Sequence, residues 1–162
     1  MKKNYEKILP SYIFDIQEIN NLSKVMFMNN FPHHQFILCT SGTGKICTES
    51  NIEQTVSKSN IVFINSSILF SIRQQENFSI KRIAFNGNFV TNYLQYFDFN
   101  QAVVFVPKSD EVFNAFNIAY DGYMHHKDDI QNSVNMYNLI GVCGESYVSS
   151  KPTLLTPEDF IA

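Results

Sequence analysis

The side chains of this 162-residue chain that could do chemistry are few and scattered: adjacent His33 and His34, the cysteines Cys39, Cys47 and Cys143, a His125-His126-Lys127-Asp128-Asp129 cluster, and Arg82 within an apolar stretch. Neighbouring histidines in a regular strand point to opposite faces, so only one of the pair can serve a common site. The cysteines form no Cys-x-x-Cys pair and are odd in number, which suits packing thiols in a reducing compartment better than a disulfide scaffold. The His125 to Asp129 run lies between two helical patterns, where a polar linker is the simpler reading than a metal patch. No Gly-x-Ser-x-Gly elbow or His-Glu-x-x-His helix occurs. Alternation along the strand gives Cys39 no assured contact with His33 or His34, so a cysteine nucleophile is not expected. The expected catalytic residues, metal ligands and cofactors are therefore none. Arg82 stands apart, because an inward arginine among aromatics offers its planar fork to a carboxylate, a phosphate or a sugar hydroxyl. Two registers remain open, one with Arg82 and Ala84 facing inward, the other with Ile83 and Phe85 in their place.

The elements that must position these residues are mostly strands. Segments rich in β-branched and aromatic residues recur between turn signals: Tyr12 to Ile19, Lys24 to Met28, Gln35 to Thr40, Lys45 to Ser50, Gln54 to Val56, Ile61 to Ile64, Ile68 to Gln74 and Ile80 to Phe85. This is the pattern of an antiparallel sandwich or barrel. Ser41-Gly42-Thr43-Gly44 is read as a tight hairpin turn and not as a phosphate loop, since strand rather than helix follows it. A short helix is predicted over Phe89 to Phe97 and a strand over Val103 to Val106. Ser109-Asp110-Glu111 is an N-cap signal, opening a helix with Val112, Phe116, Ala119 and Tyr123 on one face. A second helix, Asp129 to Val148, carries two apolar stripes. One, Met136, Ile140, Cys143 and Tyr147, is predicted to cover the sheet. The other, Ile130, Val134, Tyr137, Gly141, Gly144 and Val148, is a candidate self-association face unless both stripes are buried in one monomer.

Three segments in order carry a resemblance. His33-His34-Gln35-Phe36-Ile37-Leu38-Cys39-Thr40-Ser41-Gly42-Thr43-Gly44, Val56-Ser57-Lys58-Ser59-Asn60-Ile61-Val62-Phe63-Ile64-Asn65 and Ile80-Lys81-Arg82-Ile83-Ala84-Phe85-Asn86-Gly87 together resemble the cupin-like N-terminal effector-binding and dimerisation domain of AraC-family transcriptional regulators. The resemblance runs from about residue 10 to 150. It implies a cupin-like antiparallel β-barrel, or jelly roll, over residues 11–107, a pair of antiparallel dimerisation helices over 108–150, an N-terminal arm over 1–10, and a linker over 151–162 to a C-terminal helix-turn-helix domain. The chain departs from the family where Lys58-Ser59-Asn60 replaces Pro-Gly-Asp, where Asn65 replaces a proline, and where Phe70 stands in place of the histidine of many cupins. Leu38 and Phe70 occupy the neighbourhoods of metal ligands, which weighs against a metal-dependent cupin enzyme.

Composition is consistent with that assignment. With 44% hydrophobic and 17% charged residues and a net charge of -3, the chain reads as a folded domain without the basic stripe that displaces counterions from nucleic acid. No apolar run is long enough to cross a bilayer and no signal peptide opens the chain, so a cytoplasmic location is expected, in a bacterium as the resemblance implies. Thr156-Pro157-Glu158-Asp159 is a helix-start signature with three residues after it, so the natural protein is expected to continue beyond Ala162. The expected function is effector sensing and dimerisation in an AraC-like regulator, with an unidentified small-molecule effector, a homodimer partner, no membrane, and DNA contact only through a further domain. The expected ligand-lining residues are His34, Phe36, Leu38, Phe70, Ile72 and Arg82. The alternatives are a dimerisation module without a ligand and, more remotely, the metal-dependent enzyme.

Overall fold

A computed structural model describes residues 9–28, 31–50, 53–99, 101–125 and 128–151. Seven strands are followed by or interleaved with three helices: β1 Tyr12–Ile19, β2 Met26–Met28, β3 His34–Thr48, β4 Glu53–Ser57, β5 Ile61–Ile64, β6 Phe70–Asn86, α1 Val90–Tyr96, β7 Val103–Val106, α2 Asp110–His125 and α3 Asp129–Ser150. All pairings are antiparallel, in the order β1-β6-β3-β5-β7, with β2 added to β6 and β4 added to β3. The architecture is mostly β with C-terminal helices, a cupin-like jelly roll followed by a helix pair, with open edges in place of a closed barrel.

Two long strands create the jelly roll by passing from one leaf to the other. The stretch Ser41-Gly42-Thr43-Gly44, expected as a hairpin turn, lies inside β3, and the ladder to β6 shifts register three times between Cys39 and Gly44. Gly42 has φ +72°, and a Cβ there would meet the Glu76 carbonyl oxygen at 2.1 Å. The glycine therefore serves a bulged bend, where extra backbone increases twist and turns the sheet over. The N-terminal half of β3 pairs with β5 and the C-terminal half with β4, which separates the two leaves.

Three layers result. Between the leaves lies one apolar cluster that includes Ile37, Cys39, Val62, Ile64 and Ile80 from one leaf and Ile46, Val56, Phe70, Ile72 and Phe78 from the other. On the opposite face of the first leaf, Phe36, Leu38, Ile61, Phe63, Ile83 and Phe85 pack with α1, α2 and α3 in a second cluster. The first leaf is thus buried on both sides, and residues 34–39 are buried without a break.

The helices begin where capping chemistry places them. Ser109 Oγ accepts from Val112 N at 3.1 Å ahead of α2, and Asp128 Oδ1 accepts from Ile130 N and Gln131 N at 3.0 and 3.3 Å ahead of α3, satisfying donors that lack intrahelical partners. α2 extends through His125, and the polar run after it continues into positions 126 and 127, outside the described residues. The arm over residues 1–8 and the predicted helix start at Thr156 also lie outside them.

Candidate functional site

The register of β6 places Arg82 between the leaves. Arg82 pairs directly with Ile37 of β3, and Ala84 with Gln35, so these four share the face that looks across the jelly roll. Ile83 and Phe85 belong to the helix-facing cluster. Of the two registers left open by alternation, the structure has the one with Arg82 inward.

The surroundings of that guanidinium are unusual for a buried cation. Arg82 is 8% exposed and Gln35 1% exposed. Arg82 Nη1 donates to Gln35 Oε1 at 3.1 Å and lies 3.6 Å from Met28 Sδ. Its Nε is buried without a hydrogen-bond partner. Phe31 covers the ion, with the guanidinium carbon 5.5 Å from the ring centroid, a favourable cation–π placement. Burial lowers the Arg82 pKa, and Asp15 opposes that shift at longer range. The Asp15 interaction falls short of an ion pair, so among the described residues the charge is desolvated without a contacting carboxylate.

An aromatic chain continues from the guanidinium. Phe31 lies 5.5 Å from the His33 ring, and His33 stacks on Phe14 at 4.0 Å. Phe14 sits at the register shift of β1, and its carbonyl accepts from the Tyr123 hydroxyl of α2 at 3.3 Å. Gln35, Met28 and Phe31 were not singled out from the sequence. Gln35 had a signal: it is the polar position two residues before Ile37 in an otherwise apolar run.

The six expected lining residues divide by face. Arg82, Phe70 and Ile72 look between the leaves, and Phe70 pairs with Met28, whose sulfur reaches Gln35 and Arg82. His34, Phe36 and Leu38 do not share that face. Phe36 and Leu38 pack against the helices, and His34 lies against Phe63 and Phe85 at 5.8 and 5.7 Å. Parity along β3 explains the correction: Gln35 and Ile37, not their neighbours, stand beside Arg82. His34 Nδ1 accepts from Ser66 N at 3.0 Å. Burial, reinforced by the nearby His33 and opposed by an Asn65 hydrogen bond, pushes its pKa down to about 4. The ring is therefore neutral near pH 7 and serves the packing.

The α3 stripe also divides. Val134, Tyr137 and Val148 are 56%, 51% and 44% exposed, and Ile130 extends the row at 67%. Gly141 and Gly144 face α1 within the same monomer: an added Cβ would lie 2.5 Å from Tyr93 Oη and 2.2 Å from the Phe97 ring. Close approach is thus used internally, and Tyr93 stacks on Tyr137 at 4.4 Å beside it.

Among the described residues, no cluster of three or more His, Cys, Asp or Glu is placed to hold a metal ion. No helix among them is long and apolar enough to cross a membrane. Burial raises the Cys39 pKa to about 11 and also raises that of Cys143, the reverse of what a nucleophilic thiol requires.

No family model matches the chain. Among curated proteins it is similar to UvrABC system protein B of Halalkalibacterium halodurans, 32% identical over 83 residues, which is 51% of this chain and 12% of that protein. The same protein of Listeria monocytogenes serotype 4b is 34% identical over 77 residues, 48% of this chain and 11% of the relative. The chain spans about a tenth of the length of the curated relatives it matches. Among solved structures it is similar to apo ToxT K231A of Vibrio cholerae strain SCE256, with TM-score 0.58 and 13% identity over 85% of this chain and 55% of ToxT. ToxT of Vibrio cholerae O395 gives TM-score 0.57 and 9% identity over 92% of this chain and 58% of that one. The unsaturated fatty acid bound wild-type ToxT gives 0.54 and 10% over 91% and 58%. These likenesses establish a shared fold with ToxT, an AraC-family regulator.

Proposed function

We propose that this chain is the effector-sensing and dimerisation part of an AraC-like bacterial transcription regulator that works in the cytoplasm and binds without turnover. The observation that carries the reading is the buried Arg82 guanidinium, without a contacting counter-ion among the described residues, between the leaves of a jelly roll whose fold is shared with ToxT. A charge held this way costs stability unless something else compensates it, and a small molecule is the simplest occupant of a jelly-roll mouth. ToxT structures described with an unsaturated fatty acid and with a naphthalenyl butenoic acid support a small-molecule role for the fold. Arg82, with Phe70 and Ile72 on the same interior, remains the proposed ligand side of the original set.

The proposed partner face is the outer row of α3, where Val134, Tyr137 and Val148 meet a second copy; DNA contact belongs to a domain beyond this segment. A row of half-exposed large apolar side chains favours association over solvent exposure. A ligand then regulates only insofar as it binds one arrangement of jelly roll and helices better than another.

Native mass spectrometry of the purified protein tests both parts. A dimer carrying an organic molecule is the expected result, and Val134→Glu should convert it to monomer. A wild-type monomer that carries no molecule and gains none from a metabolite extract would overturn the reading.

A further inference from the structure

We infer that Asn86 is a site of spontaneous covalent modification: its side-chain amide cyclises onto the Gly87 nitrogen and water opens the ring, leaving aspartate or isoaspartate at the junction of β6 and α1. The sequence Asn-Gly occurs once in the chain, at these two positions. The fold demands the glycine. Its φ is +155°, and an added Cβ would lie 2.2 Å from the Pro10 carbonyl oxygen and 2.5 Å from the Ser11 Cα. No side chain can therefore stand beside the Gly87 nitrogen and screen it from attack on its neighbour.

The reacting groups are already together. Asn86 Oδ1 accepts from Gly87 N at 3.0 Å, which holds the side-chain amide against the backbone nitrogen at near-attack separation. Once hydroxide removes the N–H proton, the lone pair left behind points at that amide. Asn86 Nδ2 donates to the Pro32 carbonyl at 3.3 Å, a long bond that orients the leaving group and is weak enough to break. Both residues are partly exposed, so water and hydroxide reach them.

The atoms balance without a redox step. The Gly87 nitrogen bonds to Asn86 Cγ, the Cγ–Nδ2 bond breaks, and the departing nitrogen takes a proton from water and leaves as ammonia, regenerating hydroxide. One water then opens the five-membered imide. Opening at Cγ gives aspartate, and opening at the main-chain carbonyl gives isoaspartate, in which the backbone runs through the former side chain.

The altered junction ties the start of the described chain to α1. Asn88 N and Phe89 N donate to the Leu9 and Pro10 carbonyls at 3.4 and 3.2 Å, and Asn86 pairs with Tyr12 across the β1–β6 ladder. Aspartate sets a carboxylate oxygen against the Pro32 carbonyl where a donor stood, and isoaspartate adds one atom to the main chain beside those bonds. Either product loosens residues 9 and 10 from α1.

The test is incubation of the purified protein at pH 8 and 37 °C for three weeks, beside the same protein unfolded in guanidinium chloride, with peptide mass mapping at intervals. The peptide holding Asn86 in the folded protein should gain one mass unit at least tenfold faster than any other asparagine-containing peptide, with aspartate and isoaspartate distinguished by electron-transfer fragmentation. Asn86→Gln, which must close a larger ring, should slow the gain at least tenfold, and far-UV circular dichroism establishes that the variant is folded. In the aged protein the Asn88 and Phe89 amides should exchange hydrogen at least tenfold faster than before. No gain at residue 86 in the folded protein overturns the site, whether or not the unfolded chain converts. Conversion with unchanged exchange at Asn88 and Phe89 overturns the loosening.

Discussion

Removing the Arg82 charge together with its partner should stabilise the ligand-free protein. The single substitution Arg82→Met replaces a long side chain by another of apolar character and eliminates the buried Nε without a partner, but it strands Gln35 Oε1, which accepts from Arg82 at 3.1 Å. Each buried polar group left unsatisfied costs about 1–3 kcal/mol, so the single change is expected to be close to neutral. In Arg82→Met/Gln35→Leu both groups are gone, and exchange of buried polar or ionic groups for apolar ones of similar volume is worth about 1–3 kcal/mol of added stability here, within the range seen for buried ion pairs. For a chain of this size that corresponds to a Tm about 3–9 °C higher. Urea and thermal unfolding of wild type, both single variants and the double variant, followed by circular dichroism after exhaustive dialysis, give the values and the Arg82–Gln35 coupling energy directly. A double variant destabilised by more than about 1 kcal/mol would refute the reasoning, because the guanidinium would then be compensated without a ligand.

The glycines of α3 should respond oppositely to alanine. Gly144→Ala drives a Cβ into the body of the Phe97 ring at 2.2 Å and should cost about 1–2 kcal/mol net of improved helix propensity, with subunit count unchanged by sedimentation. Gly141→Ala meets only the end of the Tyr93 side chain, which can swing aside, so urea unfolding should find it neutral or stabilised by up to about 1 kcal/mol. Ser59 holds φ 72° in the turn between β4 and β5, a conformation disfavoured for residues with a Cβ, so Ser59→Gly should gain about 0.5–1 kcal/mol, read as a raised urea midpoint. His34 has a folded pKa of about 4 against 6.5 when free, so between those values the unfolded chain binds more protons. Stability is then full above pH 6.5 and falls by up to about 3 kcal/mol as pH drops toward 4. His34→Leu should flatten that slope in urea titrations across the range.

Local signals carried most elements and failed where burial came from two sides. Ser109 announces its helix because a side-chain oxygen must satisfy free amides at a helix start, and Asp128, read from the sequence only as part of a polar linker, does the same for α3. The strands from Tyr12, Ile61 and Val103 are bounded by turn residues, and the structure has them at the expected positions. Alternation could not orient Phe36 and Leu38, because β3 runs between the second leaf and the helices and residues 34–39 are all buried. Ser41-Gly42-Thr43-Gly44 has the composition of a hairpin, yet the local chain contains nothing to say that Glu76 and Asn77 lie across from Gly42. The intramolecular use of Gly141 and Gly144 was hidden for the same reason: an i, i+3 pair of glycines marks close approach without naming what approaches, and the answer lies some fifty residues earlier in Tyr93 and Phe97.

Burial on both faces also ties the candidate site to the helices. Along β3 Gln35 faces the space between the leaves and Phe36 faces the helical layer; along β6 Arg82 and Ile83 are divided in the same way. A change in strand position that improves a ligand contact at Gln35 or Arg82 must carry Phe36 and Ile83 with it, because neighbouring side chains share one backbone. Phe36 stacks on Phe85 at 5.1 Å, within the cluster that also holds Phe116 of α2 and Leu139 and Ile140 of α3. A close-packed cluster resists partial displacement, so this geometry favours discrete alternative packings over graded ones. The free energy available to select between them is limited to the difference in ligand affinity for the two. The second route from the guanidinium, through Phe31, His33, Phe14 and the Tyr123 hydroxyl, ends on α2 as well, so both physical connections from it converge on the helical pair that bears the exposed row of Val134 and Tyr137.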